Sequence, residues 1–336
     1  MSRYYQDTSL WGGSERSHSD ERCPSKDAPR SHPTPLSTRP TYVSPLIPRS
    51  SISLADLASK LFHAQEEFRP KIVSTEKRVR GLLNGKWIFD TTGAKLVWEH
   101  KFFPYYWIPK ADFLPTATFT DDKPISGIQQ STSKLSVEGS DKAVATLLVP
   151  DSFDSELAGL VKIDFKALDA WYEEQTPVLY HPKDPFHRVD ILPSGRKVRV
   201  EIDGVVIADT GDEGGVMSLW ETNFPGRWYL PRTAVNWEYL KPSETKTGCP
   251  YKGQASYYSA VINGKEHADV VWWYPNPTHE SVQVAGLLCF YPDKVDTFVD
   301  EQPIAKIGMR LPNSSKKDNE DLDKLRASAK TSSCNC

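Results

Sequence analysis

Two stretches decide the fold: "VRGLLNGKWIFDT" at residues 79–91 and "VRVEIDGVVIADT" at residues 198–210. Laid over each other, they put Gly85 on Gly204 and Asp90-Thr91 on Asp209-Thr210. In each, two short apolar runs flank an Asn-Gly or Asp-Gly pair. That dipeptide accepts the two positive φ angles of a tight hairpin turn, so each stretch predicts a β-hairpin. "INGK" at 262–265 carries the same signal.

The correspondence continues outward. After a three-residue insertion in the second copy, "LVWEHKFFPYYWIPK" (96–110) runs against "SLWETNFPGRWYLPR" (218–232). Trp98-Glu99 then falls on Trp220-Glu221, and Lys110 on Arg232. Further on, "ELAGLVKIDFKALDAW" (156–171) parallels "QVAGLLCFYPDKVDTF" (283–298). A repeat of about 120 residues is domain-sized, so the chain reads as tandem domains and not a solenoid. Short Val, Ile, Leu and aromatic runs separated by turn residues make both domains mostly antiparallel β, closed or nearly closed to protect their edges.

The flanks differ. Residues 1–50 are rich in Ser, Pro and Arg, too poor in apolar side chains to offset their ordering entropy, and are expected to be a disordered arm. Residues 51–74 predict an amphipathic helix and linker: Ser53 with Asp56 resembles a capping pair, and Leu54, Leu57, Leu61 and Phe68 recur at roughly helical spacing. The first β domain is assigned to 75–190, the second to 191–305, and a charged tail to 306–336.

Composition narrows the function classes. The formal charge of −3 over 336 residues gives no electrostatic case for a nucleic-acid partner. Cys23, Cys249, Cys289, Cys334 and Cys336 form no paired CxxC or Cys/His set, so neither a structural metal nor a disulfide framework is expected. No apolar run is long enough for a membrane span, and the N-terminal stretch lacks a signal peptide's apolar core. A cytoplasmic protein is the expectation. The terminal "CNC" is not a CaaX box, because the fourth residue from the end is Ser333.

The copies are unequal. The second has "TKTGCPYKGQASYYSAVINGKEHADVVWWYPNP" (245–277), where the first has "TATFTDDKPISGIQQSTSKLSVEGSDKAVATLLVPDS" (116–152). The Cys-Pro-Tyr-Lys-Gly element is present in only one of them, which marks it as a candidate functional loop. Cys249 could act as a thiol if a cation such as Lys252 lowered its pKa; it could equally be a small core residue. Lys252 beside Gly253 could hold an anionic group. "CPYKG" lacks the GxxxxGK[ST] spacing of a phosphate-binding loop.

Glu221 and Arg232, among Trp220, Trp228 and Tyr229, offer a carboxylate base and a cationic clamp; a salt bridge closing the domain is the plainer alternative. His267 and His279 are acid/base candidates as lone residues.

"LWETNFPGRWYLPR", "TGCPYKGQASYY", "VVWWYPNP" and "VAGLLCFYPDKVD", with "YHPKDPFHRVDILPSGRKVRVEIDGVVIADT" at the junction, resemble the tandem form of the domain-of-unknown-function 427 family over about residues 75–302. The resemblance implies a compact Mss4-like, or β-tent, fold and no established activity. It departs at Gly248, where a bulkier polar residue is common before the cysteine. The Ser/Pro-rich extension is foreign to the domain and points to a fungal source. The family has also been catalogued under a nucleotidyltransferase heading. That chemistry needs a Gly-Ser turn and two spaced carboxylates for divalent metals, which neither "EGSDKA" nor "DTGDEGG" supplies.

Two functions follow. One is an accessory enzyme of fungal secondary metabolism, working without metal or cofactor by acid–base isomerisation, dehydration or cyclisation of a small carbonyl-rich or aromatic metabolite. Glu221 would be the base, Lys252 and Arg232 would steady negative charge, and Tyr251 or Cys249 would donate a proton. The other is a non-catalytic binding module whose groove for a small molecule or peptide is lined by Trp220, Trp228, Tyr229 and Tyr251.

Overall fold

A computed structural model describes residues 53–62, 70–100, 102–140 and 142–306. The expected arm at 1–50, the second half of the expected helix and nearly all of the tail lie outside the described residues. The architecture is β. The first repeat contributes β1 (Ile72–Ser74), β2 (Val79–Leu83), β3 (Lys86–Thr91), β4 (Lys95–Val97), β5 (Tyr105–Pro109), β6 (Ala117–Pro124), β7 (Ser131–Val137), β8 (Ala143–Leu148), β9 (Leu160–Ile163), β10 (Ala170–Glu173) and β11 (Thr176–Pro177). The second contributes β12 (Val189–Ser194), β13 (Val198–Ile202), β14 (Val205–Asp209), β15 (Val216–Glu221), β16 (Arg227–Leu230), β17 (Leu240–Cys249), β18 (Gly253–Ile262), β19 (Lys265–Trp273), β20 (Leu288–Phe290), β21 (Asp296–Val299) and β22 (Gln302–Pro303).

Each repeat builds a seven-stranded and a four-stranded antiparallel sheet, and the strand orders match position for position. The large sheets run β1-β4-β5-β9-β8-β7-β6 and β12-β15-β16-β20-β19-β18-β17; the small ones run β11-β10-β2-β3 and β22-β21-β13-β14. The hairpin turns are where the sequence puts them. Asn84-Gly85, Asp203-Gly204 and Asn263-Gly264 all carry positive φ at both residues, the backbone of a two-residue turn whose twist matches its strands. The first repeat's large sheet begins earlier than sequence suggests: Ile72–Ser74, read as linker, pairs with β4.

The inner face of each large sheet packs on its small sheet, through Val79, Ile88, Tyr106 and Ile163 in the first repeat and Val198, Ile207, Val271 and Leu288 in the second. The outer faces are also covered. In the first repeat the cover is α1 (Leu54–Phe62), the one α-helix among the described residues. Its start is capped as the sequence indicates, with the Asp56 amide donating to Ser53 Oγ at 3.1 Å. It buries Ala58 against Val97, Trp107 and Leu147, with Leu54, Leu61 and Phe62 partly buried on the same cluster, and buries Leu57 as well; burying a leucine contributes about 1.5–3 kcal/mol. In the second repeat the outer face carries Tyr229, Tyr257, Trp272 and Cys289 under Val284 of the short helix His279–Val284. No described helix is long and apolar enough to cross a membrane.

Candidate functional site

The β17–β18 turn carries Cys249 to Gly253 over this second outer face. Glu221 ends β15, two residues beyond Leu219, so strand alternation points its carboxylate at the same face. There Lys252 Nζ reaches Glu221 Oε2 at 2.6 Å, with both side chains more than nine-tenths buried. The other carboxylate oxygen meets His187 Nε2 at 3.0 Å. Burial alone would raise the Glu221 pKa, but the Lys252 charge and the hydrogen bonds from His187 and Lys252 hold it down to about 2. An ionised carboxylate only accepts, so His187 carries its proton on Nε2. Its Nδ1 makes no hydrogen bond to any described residue. Burial alone would lower the Lys252 pKa, but Cys249 and Glu221 hold it up, and the ammonium stays charged.

Tyr251 closes the arrangement. Its ring stacks on His187 at 4.2 Å between centroids, and its hydroxyl accepts from the Asp184 amide at 2.7 Å. Its carbonyl accepts from the hydroxyls of Thr278 and Ser281. Burial pushes the Tyr251 phenol up and the Cys249 thiol up as well. Cys249 is therefore not the low-pKa nucleophile that a neighbouring lysine suggested: desolvation outweighs the Lys252 charge. Gly253 is buried at φ 96°, and a Cβ there would stand 3.0 Å from the Asn276 carbonyl. It permits a close backbone crossing, tied by the Thr278 amide donating to the Lys252 carbonyl at 3.2 Å.

The structure thus brings Glu221, Lys252, Cys249, Tyr251 and Gly253 together and leaves the remaining candidates apart. Arg232 does not pair with Glu221. Its guanidinium lies 4.3 Å from the Trp237 ring and 5.4 Å from that of Trp273, on the protein surface. In the first repeat Lys110 also faces an aromatic ring, that of Phe119, but on β6 and not in the place of Trp237 or Trp273. Trp220 and Trp228 meet edge to face at 6.1 Å, and Trp228 packs on the inner core. Tyr229 faces the outer side, fully buried, with its hydroxyl accepting from Trp272 Nε1 at 3.0 Å. The four aromatics therefore do not line one groove. His279 is exposed, and His267 lies 3.4 Å from Asp203; neither is part of the cluster.

His187 is the residue that sequence reasoning missed. It sits in the junction "YHPKDPFHR" between the repeats, 34 residues before Glu221.

The first repeat keeps the carboxylate and changes its partners. Glu99 pairs with Lys162 Nζ at 2.7 Å, both side chains about as buried as in the second repeat, and accepts from Trp107 Nε1 at 3.0 Å. Lys162 stands beside Trp107 in the β5–β9 register, the place Cys289 holds beside Tyr229. Strand residues thus satisfy Glu99, whereas Glu221 depends on a turn and on the junction.

Gly248 is explained by the same junction. A Cβ at this position would overlap the Tyr180 ring, so the ring takes the space a side chain would need. Gly248→Ala is expected to cost about 1–3 kcal/mol through overpacking, read by urea unfolding. Wild-type stability for that variant would show that the Tyr180 ring moves aside freely.

No curated protein matches the chain in sequence. A family model described as "Domain of unknown function (DUF427)" matches residues 71–147 and 190–301, more than half of the chain, and the protein belongs to that family.

Proposed function

We infer that the second repeat is an acid–base enzyme site for a small carbonyl-bearing or aromatic molecule, worked by the chain's own side chains. One observation carries this reading: a buried carboxylate held only by groups on a turn and an inter-repeat segment, beside a repeat that holds the equivalent carboxylate with its framework. Glu221, with a pKa near 2, is too weak a base at neutral pH and is better suited to orienting His187 and Lys252. His187, with Nε2–H on Glu221, offers its Nδ1 lone pair as the base. In an isomerisation Nδ1 takes the proton from the carbon beside a carbonyl, and the electron pair moves to the oxygen. The Lys252 ammonium steadies that charge, the Tyr251 phenol or Cys249 thiol, both neutral, supplies the proton for the new position, and the proton taken up by His187 then passes to that anion, restoring both groups. The setting in this reading is cytoplasmic and fungal, on Mss4-like domains, with the product feeding secondary metabolism. Sequence resemblance and composition support those points.

The test is a metabolite comparison in the source organism between a deletion strain and strains expressing wild type or His187→Gln. The variant keeps an amide N–H for Glu221 and removes the base. It is expected to fold, and the strain to accumulate the same compound as the deletion. A stable His187→Gln protein that restores the wild-type profile would sink the assignment of the base.

A further inference from the structure

The junction between the repeats is gripped from both sides. On the second repeat, Tyr180 packs over Gly248, Lys183 Nζ donates to Glu280 at 2.6 Å, the Asp184 amide donates to Tyr251, and His187 binds Glu221. On the first, the His181 ring stacks on Phe103 at 3.8 Å and 15°. Phe186 lies under the Lys71 ammonium at 3.4 Å and 6.2 Å from the Trp98 ring. His181 also meets Tyr251 edge-on at 6.4 Å. A run of rings therefore passes from Phe103 through His181 to Tyr251 and His187.

We propose that the first repeat is the positioning half of the second repeat's site. Phe103 and Trp98 hold residues 180–187 as a strap, the strap sets His187 on Glu221 and Tyr251 over Lys252, and ligand enters when the strap lifts. Three features support this beyond the contacts themselves. Apart from the turn itself and the hydroxyls of Thr278 and Ser281, the side chains and amides that meet Tyr251 and Glu221 come from this one segment. Phe186 is 58% exposed and yet sits in a cation–aromatic contact with the first repeat, so it adds little to any core. Tyr180, at the start of the segment, has a positive φ of 72°, a backbone state uncommon for a tyrosine. The first repeat, whose own carboxylate is closed off by Lys162 and Trp107, thereby has a part in the site that its sequence alone lacks. Phe103 and Phe186 act through the strap and are positioning residues.

The proposal rests on the site assigned above, but its test needs no turnover. Cys249 is half-buried and directly follows Gly248, on which the Tyr180 ring packs, so its labelling rate follows the strap, and Cys289, 1% exposed in β20, reports global opening. N-ethylmaleimide labelling of the full chain, mapped by peptide mass, follows both thiols. Phe186→Ala and Phe103→Ala are each expected to raise the Cys249 rate about tenfold at unchanged Cys289 rate, since local opening becomes easier when a ring contact is lost. Phe103→Tyr, which keeps the stack, is expected to restore the wild-type rate. Unchanged Cys249 labelling in Phe186→Ala, or Cys249 and Cys289 rising in step, overturns the proposal. Phe186→Ala removes a mostly exposed ring, so that arm holds even where Phe103→Ala does not fold. Selective labelling of Cys249 with no metabolite change in His187→Gln would keep the strap and remove the catalytic reading.

Discussion

Lys252→Met is expected to remove about 3–5 kcal/mol of unfolding free energy, and Cys289→Lys placed in the same protein is expected to return most of it. The loss follows from leaving the Glu221 carboxylate buried, with only His187 to meet it. The recovery follows from the first repeat, where the lysine of the pair starts from the strand and not from the turn. Lys162 sits opposite Trp107 in the β5–β9 register and reaches Glu99 at 2.7 Å. Cys289 sits opposite Tyr229 at the same place in the matching sheet. Cys289→Lys alone should destabilise, because two ammonium groups would then compete for one carboxylate. Urea unfolding of the four proteins forms a double-mutant cycle. A double variant no more stable than Lys252→Met would show that the two repeats do not share this geometry. Metabolite complementation by the rescued protein asks a second question. Restored stability without restored function would separate the ammonium's role in folding from its role on the turn.

Much of the fold was legible because it is written locally. Asn84-Gly85, Asp203-Gly204 and Asn263-Gly264 fix three hairpins by backbone chemistry alone, and Ser53 starts α1 by a hydrogen bond three residues away. Repetition extended those local signals to the whole topology. The site was half legible. Cys249, Tyr251 and Lys252 are neighbours in sequence, and their absence from the first repeat set them apart. Glu221 was found with the wrong cation, since the Arg232 guanidinium lies on the surface against Trp237 and Trp273. The expected aromatic groove ignored strand parity: Trp228 and Tyr229 are adjacent on β16 and must face opposite ways. Lys162, in "LVKIDF", looks like a solvated strand lysine and is 4% exposed, because β9 is central in a sheet covered on both faces. His187 needed the third dimension. Its partners lie 34 and 64 positions away, and only the path of the strap brings them together.

Acid is expected to destabilise this protein well before its carboxylates titrate. Burial, with the charges of His181, Lys162 and Lys60, pushes the His100 pKa down to about 3. Burial also pushes His181 down to about 4, against the hydrogen bond from its ring to the Pro182 carbonyl. Both rings must stay neutral in the folded chain, while the unfolded chain protonates them near pH 6.5. A depressed folded pKa contributes stability that is fully present above the unfolded value and is lost as pH falls toward the folded one. The window therefore opens near pH 6.5 and closes near pH 4 for His181 and pH 3 for His100. Between pH 7 and pH 5 each histidine should cost about 2 kcal/mol, by the linkage relation. Glu221 adds its own loss only below about pH 4.5, on the way to its folded pKa of about 2. Urea unfolding at pH 7, 6 and 5 reads the slope. His181→Phe keeps a ring to stack on Phe103 and removes the titrating group, so it should flatten the pH 7 to 5 slope by about half. An unchanged slope in that variant would mean that His181 takes up its proton without leaving the fold, and that the strap tolerates a charged ring against Phe103 and Tyr251.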